Sequence, residues 1–401
     1  MRCFDLGRRS QIAIVATMIC GLFVSTAGSF ADEPIENPYS AWRLGPPARD
    51  DYFPIAVWLQ QPANAPKFKA AGINLYVALW KGPTEEQLAE LKRHGMPVIC
   101  NQNEIGLKHK DDPAIVGWMH GDEPDNAQFA GKNKGYDPPI LPAKISEDYQ
   151  RLKARDPSRP ILLNLGQGVA WDGWYGRGVR TNHPEDYPQY AKGSDIVSFD
   201  IYPACHSHAD VAGKLWLVAD GVSRLRKWSG DRKPVWTCIE CTHIDNPNAK
   251  ATPRQVRAEV WMSLVRGSRG IIYFVHQFKP EFIEAGLLAD RGMLAAVTET
   301  NQQIQRLAPV LNSPTVPGGV SVETTPSEVP VEAIVKRRDG ASYVFAVAMR
   351  PGKAAARLRI AGLADGAKVE VLGESRELVA ADGTFLDAFE PWDVHIYKLP
   401  N

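Results

Sequence analysis

Residues 233–276 contain the succession of elements that decides the fold. KPVWTCIE (233–240) and RGIIYFVH (269–276) are short apolar runs of the kind that form buried strands. Between them, TPRQVRAEVWMSLVRG (252–267) has apolar residues at helical spacing and ends at Gly267. Strand, helix and strand in this order predict a unit of a parallel sheet with helices packed on it.

The same alternation extends outward from this unit over residues 50–280. Six further strands are predicted at FPIAVWL (53–59), INLYVALW (73–80), MPVIC (96–100), AIVGWMH (114–120), PILLNLG (160–166) and SDIVSFDIY (194–202). Eight strands with intervening helices predict a (β/α)₈ TIM barrel, which we place at residues 48–308. A doubly wound sheet is the alternative, but the sequence lacks the Gly-rich phosphate turn common in that fold.

The pattern changes from about residue 316. Short alternating runs such as VSVETT (320–325) and DVHIYKL (393–399) are separated by Asp-Gly turn signals. They predict a small C-terminal antiparallel β-sandwich at residues 316–401, with a Pro-rich linker at 309–319.

The first 31 residues have the composition of a secretory signal peptide. Arg2, Arg8 and Arg9 precede the apolar segment 11–24, and Ser29-Phe30-Ala31 offers a cleavage site. A secreted or periplasmic protein is therefore expected, with no membrane segment after cleavage. An uncleaved anchor is the alternative, although the apolar segment is shorter than a membrane span requires.

Composition excludes some functions for this 401-residue chain. The 46 basic and 46 acidic residues give a formal net charge of zero, which argues against a nucleic-acid binder. Apolar residues make up 44%, enough for a sizeable core. Neither an HExxH motif nor a GxSxG motif is present, so metalloproteases and serine hydrolases lose their usual signatures.

Two glutamates stand where a barrel places its chemistry. Functional residues of (β/α)₈ barrels lie at the C-terminal ends of the strands. Glu123 follows the fourth predicted strand and Glu240 ends the seventh, on the opposite side of the barrel. Glycoside hydrolysis requires two facing carboxyl groups, one that donates a proton and one that is ionised.

The stretches AIVGWMHGDEPD around Glu123 and PVWTCIE around Glu240 resemble those of clan A glycoside hydrolases. This resemblance implies a retaining enzyme that acts on β-linked glycosides by double displacement. Glu240 is the implied nucleophile and Glu123 the acid/base, without a cofactor, and the substrate is an oligo- or polysaccharide. Clan members usually carry Asn before the acid/base, whereas this chain has Asp122, which can still accept a sugar hydroxyl. The resemblance further implies that Tyr202 hydrogen-bonds the nucleophile.

Other candidate substrate-binding residues follow from their positions at strand ends or in the following loops. Aromatic faces stack on sugar rings, and short polar side chains bind hydroxyl groups. The candidates at strand ends are Trp58, Trp80, His120, Asn164, Asp200 and His276, and those in the long loop after strand five are Trp171 and Trp174.

Four cysteines remain after signal cleavage, and an exported protein can form disulfides. Alternation places Cys241 outside the lumen, towards the loop that carries Cys205, so these two are predicted to pair. Zinc at the cluster of these cysteines, Cys238 and nearby histidines is the alternative, and it would imply a metal-dependent hydrolase. A non-catalytic carbohydrate-binding protein on the same barrel is the other alternative function.

Overall fold

Eight parallel strands close into a barrel in the computed structural model, which describes residues 37–400. The predicted signal peptide lies outside the described residues. Each predicted barrel strand is present, and β1 pairs with β10 to complete the ring. The barrel strands are β1 (Ile55–Trp58), β2 (Leu75–Val77), β3 (Val98–Asn101), β4 (Ile115–Asp122), β7 (Ile161–Leu165), β8 (Ile196–Phe199), β9 (Val235–Glu240) and β10 (Gly270–Phe274). A small hairpin, β5 (Gln128–Gly131) and β6 (Gly135–Asp137), lies in the loop after β4.

Side chains of the barrel strands alternate between two apolar layers. On β9, Trp236 and Cys238 belong to the cluster that fills the lumen, whereas Val235 and Ile239 pack in the layer between strands and helices. Both layers exclude water, which explains why the strands are continuous apolar runs.

Nine helices lie within the described residues. Capping boxes begin two of them: Thr84 and Gln87 form one at α2, and Thr252 and Gln255 form another at α7. The helices are α1 (Ala65–Ala70), α2 (Glu85–Arg93), α3 (Glu104–Lys108), α4 (Pro142–Arg155), α5 (Tyr187–Tyr190), α6 (Leu217–Trp228), α7 (Pro253–Val265), α8 (Gly286–Ala289) and α9 (Arg291–Leu311).

Helix α9 extends into the segment predicted as the linker. The predicted linker begins at Pro309, but this residue lies in the last turn of the helix. Earlier in the helix, Asn301 is fully buried and connects two parts of the barrel. Its side chain accepts a hydrogen bond from Tyr273 and donates one to the carbonyl of Ala71.

The C-terminal part forms two antiparallel sheets. One has the strand order β11-β14-β17 and the other β12-β13-β18-β15-β16. Trp261 of α7 stacks on Phe345 of β13 at a centroid distance of 5.5 Å, so the barrel and this β-sandwich share a buried contact. The strands are β11 (Val320–Thr325), β12 (Val331–Arg338), β13 (Ala341–Ala348), β14 (Ala354–Ile360), β15 (Lys368–Val371), β16 (Arg376–Val379), β17 (Thr384–Phe389) and β18 (Val394–Pro400).

Candidate active site

A cleft of about 660 Å³ opens at the C-terminal ends of the barrel strands. Its size is within the range of small-molecule sites. Eight of the predicted site residues line it: Trp58, Trp80, Asp122, Glu123, Asn164, Asp200, Tyr202 and His276.

Glu123 and Asp200 form a pair of carboxyl groups in hydrogen-bonding contact. Loss of hydration inside the cleft, and then the negative charge of Asp200, raises the pKa of Glu123 well above its usual range. Loss of hydration also raises the pKa of Asp200, while hydrogen bonds from Glu123 and Tyr202 favour its ionised form. Two adjacent carboxyls do not ionise together without a large cost, and the hydrogen bonds that Asp200 accepts favour the proton on Glu123.

Asn164 connects the acidic groups of the cleft. Its Nδ2 donates to Asp122 Oδ1 at 2.9 Å and to Asp200 Oδ1 at 3.3 Å. Ser198 Oγ donates to Asn164 Oδ1 at 2.7 Å, which fixes the amide in the orientation that serves both aspartates. Tyr202 was expected to bond the nucleophile, and in the structure its partner is Asp200.

The backbone at the end of β4 directs Glu123 into the cleft. The register with β7 shifts between Met119 and Gly121, and Glu123 adopts a left-handed conformation with φ of 43°. Such conformations are uncommon for residues other than glycine and cluster at functional sites. Gly166 provides the space for this carboxyl group, because a Cβ at that position would lie 3.0 Å from Glu123 Oε1.

Asp125 supports the same region from below. It is fully buried, and it accepts hydrogen bonds from the Gly166 N–H at 2.9 Å and the Tyr187 hydroxyl at 2.8 Å. Arg177 lies over the Tyr187 ring and donates to the Asp125 carbonyl. These bonds connect the loop after β4 with the loop after β7, so the position of Glu123 is held from both loops.

Glu240 does not reach the cleft. Its side chain is 0% exposed, and its carboxylate accepts the backbone N–H groups of Ala204 at 2.6 Å and Cys205 at 2.8 Å. The carboxyl of Glu259, on α7, faces it. The structure therefore does not bring the predicted pair Glu123 and Glu240 together, because the loop after β8 binds the Glu240 carboxylate and closes it off from water.

The predicted disulfide between Cys205 and Cys241 is not formed, and both thiols are free and buried. Cys205 packs with the lumen cluster, whereas Cys241 lies in the outer layer with its Sγ 3.4 Å from the Phe274 carbonyl. Cys238 does line the cleft, but loss of hydration and the neighbouring aspartates raise its pKa, so it is a neutral thiol there.

Besides Glu240, three further predicted site residues lie outside the cleft lining. Trp171 and Trp174 pack with each other at a centroid distance of 6.0 Å, and Trp171 also contacts His206 and His208. His120 is bound through Nε2 to the Ile145 carbonyl at 3.0 Å. Trp174 nevertheless influences the site indirectly, because its indole N–H donates to Asn126, next to Gly166.

Sequence reasoning missed the residues that the loop after β10 contributes. Phe278, Phe282 and Glu284 line the cleft, together with Leu59, Gln61, Cys238 and Phe274. The signal available was the aromatic stretch FVHQFKPEF (274–282) directly after the last barrel strand. The loop after β10 is shorter than the loops after β4 and β7, so its length did not mark it as a candidate.

Residues 37–400 contain neither a metal-binding cluster nor a membrane-spanning helix. No group of three or more His, Cys, Asp or Glu in this part of the chain is arranged to hold a metal ion. Across the same described range, no helix has the length and apolar character needed to cross a membrane.

Comparison with solved structures supports the architecture. The chain is similar to the noncanonic maltogenic alpha-amylase AmyB from Thermotoga neapolitana, with a TM-score of 0.53 and 6% identity over 88% of this chain and 99% of that one. It is also similar to a variant of AmyP in complex with maltotriose (TM-score 0.52, 9% identity, 88% and 98% covered). The alpha-amylase of Geobacillus thermoleovorans complexed with acarbose gives a TM-score of 0.51 and 10% identity (88% and 99% covered).

No family model and no curated protein matches the sequence. At the identities found among solved structures, the likeness concerns the fold. The predicted barrel with a C-terminal β-sandwich is confirmed, and it is a fold that glycoside hydrolases use.

Proposed function

We propose that this protein hydrolyses a glycosidic bond in the cleft, with Glu123 as proton donor and Asp200 as its ionised partner. The observation that supports this most directly is the contact between the two carboxyl groups, which favours a protonated Glu123 beside a charged Asp200. An acid with a raised pKa next to an ionised carboxylate is the pairing that glycoside hydrolysis requires.

The proposed reaction is a double displacement. The Asp200 carboxylate attacks the anomeric carbon while Glu123 gives its proton to the leaving oxygen, so a glycosyl ester forms and the alcohol departs. Glu123, now ionised, takes a proton from water, whose oxygen bonds to the anomeric carbon of the ester as the bond from that carbon to Asp200 breaks and the Asp200 carboxylate is released. A sugar that enters between the carboxyls must widen their separation to about 5–5.5 Å, the spacing of retaining enzymes.

Tyr202 and Asn164 take supporting roles in this proposal. Both hydrogen-bond Asp200 and so favour its charged form, as an attacking carboxylate requires. Asp122 lies open to the cleft and is the candidate for binding a sugar hydroxyl.

The linkage of the substrate and the export of the protein are proposed in less detail than the reaction. The β-linkage was implied by a resemblance in which Glu240 is the nucleophile, and in this proposal Asp200 takes the role of Glu240. The solved structures of similar fold include complexes with maltotriose and acarbose, so we propose an oligosaccharide or related glycoside of either linkage. A secreted or periplasmic location rests on the signal peptide predicted at residues 1–31.

The test uses the chain from residue 32 to 401. It is incubated with a panel of α- and β-linked glycosides, and the anomeric configuration of the product is followed by NMR. Glu123→Gln and Asp200→Asn should each lower kcat about 10²- to 10⁴-fold, because each removes a group that acts in the transition state. Glu147→Gln, on the exposed face of α4, is the control and should retain full activity. Inverted product, or full activity of Asp200→Asn, would contradict the assignment.

A non-catalytic carbohydrate-binding protein is the second candidate. It is favoured by the hydrogen-bonding contact of the two carboxyls, which places them closer together than the spacing that a retaining enzyme requires. This second candidate would be favoured if calorimetry detects binding of an oligosaccharide and the protein does not convert that oligosaccharide to product at any pH between 4 and 9.

A further inference from the structure

The two halves of the cleft differ in chemistry. One half is formed by the neighbouring strands β4, β7 and β8, and it carries Asp122, Glu123 and Asp200. The other half is formed by β10, β1 and β2 with their loops, and its lining is mostly aromatic: Trp58, Trp80, Phe274, Phe278 and Phe282. We call this second half the ring wall.

The ring wall extends from the C-terminal end of β10 to the solvent. Phe274 lies 6.2 Å from Phe278, which lies 5.8 Å from Phe282, as ring centroids. Phe278 is 46% exposed, Phe282 63% and Trp80 62%. Large rings left this open around a cleft mark a place where an apolar partner binds.

Phenylalanine rings suit an apolar group better than a second sugar. They have no donor or acceptor for hydroxyl groups, so a sugar placed there would lose hydrogen bonds to water without replacement. Polar groups on this side are few among the described lining residues, namely Gln61, His276 and Glu284. The backbone N–H of Gln61 already donates to Glu284 at 2.7 Å.

The charges of the cleft disfavour an anionic ligand. Four acidic residues line it, and no Lys or Arg is among the described lining residues. The nearby cation Lys81 lies over the Trp80 ring, 5.9 Å from its centroid. A carboxylated or sulfated ligand would meet repulsion without a compensating cation.

We propose that the substrate is a neutral glycoside whose leaving group is an apolar, ring-containing aglycone held by the ring wall. This rests on the proposed function, since the carboxyl pair defines where the sugar is bound. The aglycone then packs against Phe278 and Phe282 while Glu123 protonates the oxygen that joins it to the sugar.

The binding test uses 2-naphthol as an aglycone probe, with maltotriose as the sugar-only comparison. Calorimetry should detect naphthol binding to the 32–401 chain, and the double variant Phe278→Ala/Phe282→Ala should weaken it about tenfold or more through lost apolar contact. Phe129→Ala is the matched control, because Phe129 is equally exposed but lies on the β5–β6 hairpin, and it should leave binding unchanged. Undetectable naphthol binding, or binding that the double variant does not change, would overturn the inference.

The kinetic test separates this inference from the proposed function. Naphthyl glycosides should have a higher kcat/KM than the corresponding disaccharides, and the double variant should remove this preference. Hydrolysis of disaccharides at an equal or higher kcat/KM, unaffected by the double variant, would overturn the ring-wall inference and leave the proposed function intact. Naphthol binding at the ring wall without hydrolysis of any glycoside would instead contradict the proposed function.

A second copy of the chain is the competing occupant of the ring wall. Analytical ultracentrifugation of the unmodified chain and of the double variant distinguishes a second copy from the proposed aglycone. A monomer in both cases supports the inference. A dimer that the double variant dissociates would show that the rings serve an interface between copies, and would overturn it.

Discussion

A single glycine gives the Glu123 carboxyl its space. A methyl group at Gly166 would lie 2.8 Å from Asn126 Oδ1 and 3.0 Å from Glu123 Oε1, so Gly166→Ala must displace one of them. We expect kcat to fall about 10- to 100-fold, as for small misplacements of catalytic groups, with a melting temperature within a few degrees of the unmodified chain. Gly292→Ala, at the start of α9 where a Cβ meets only Asp290 at 3.5 Å, is the control. Equal activity of both variants would contradict the proposed position of the acid.

The charge of Asp122 contributes to the raised pKa of both members of the carboxyl pair. Glu123 must be protonated and Asp200 ionised for the proposed reaction, so kcat/KM should be bell-shaped in pH. Asp122→Asn removes a negative charge that disfavours ionisation of both groups. Both limbs should therefore move to lower pH, by several tenths of a pH unit or more. A profile that stays in place, or moves to higher pH, would exclude this coupling.

Glu240 is expected to serve stability. Glu240→Gln removes the charge that two backbone N–H groups bind and leaves one of them without a carboxylate partner. The free energy of unfolding should fall by about 1–3 kcal/mol, measured by urea titration, while kcat of the folded protein stays within a few-fold. Loss of turnover with unchanged stability would instead restore Glu240 as the nucleophile.

At the scale of elements, β9 and α7 meet through two carboxyl groups. No N–H or O–H donor among the described residues reaches the Glu259 oxygens, so a shared proton must join them to Glu240. Burial raises the pKa of both groups above their ordinary value of 4.5. The folded state then binds more protons than the unfolded state above that pH.

This linkage has a definite sign. Because the folded pKa values are raised, the stability that this pair contributes is greatest at low pH and declines as pH rises from about 5 to 8, by up to about 1.4 kcal/mol per pH unit for one proton. Glu259→Gln supplies an amide donor to Glu240 without taking up a proton, so the decline should be shallower. Urea unfolding at pH 5, 6.5 and 8 measures it, with Glu147→Gln as the control. Parallel declines in all three proteins would refute the shared proton.

Element positions were predictable because they depend on local patterns. The helical pattern at 252–267 forms α7, which begins at a Thr252 cap, and every barrel strand lies in a predicted apolar run. Local patterns did not place the end of β9, where alternation from Trp236 and Cys238 predicts that Glu240 faces the lumen. The loop after β8 decides its position by offering two N–H groups, and that contact joins residues 35 and 36 positions apart in sequence.

The candidate site was predictable in part for the same reason. Asp122, Glu123 and Asp200 were assigned to strand ends, and strand ends meet in a barrel. Their mutual arrangement depends on the register shift in β4 and on the backbone of Glu123, which no periodicity reveals. Phe278 and Phe282 reach the cleft through a loop bound to Gln60 and Gln61, so their position required the folded chain.

At the scale of the whole molecule, the β-sandwich is part of the barrel's stability. Trp261 and Phe345 stack at an interplanar angle of 16° and are almost completely buried, and Arg266 pairs with Glu332 beside them. Phe345→Ala should lower the free energy of unfolding by about 3–5 kcal/mol, as for a large buried aromatic side chain. Calorimetry should show one transition in the unmodified chain. If calorimetry shows two transitions and the variant shifts only the transition of the C-terminal β-sandwich, the barrel and the β-sandwich unfold independently.

The left-handed backbone of Glu123 lowers the stability of the fold at the residue that the proposed reaction requires. An L-residue there costs about 1–2 kcal/mol, whereas glycine adopts that conformation freely and asparagine does so more readily than glutamate. Glu123→Gly and Glu123→Asn should therefore melt at a higher temperature than the unmodified chain while abolishing turnover. A related protein that no longer needs this reaction would gain thermal stability from a single substitution at position 123. Glycine or asparagine at this position would therefore identify a relative that has kept the barrel and lost the catalytic activity.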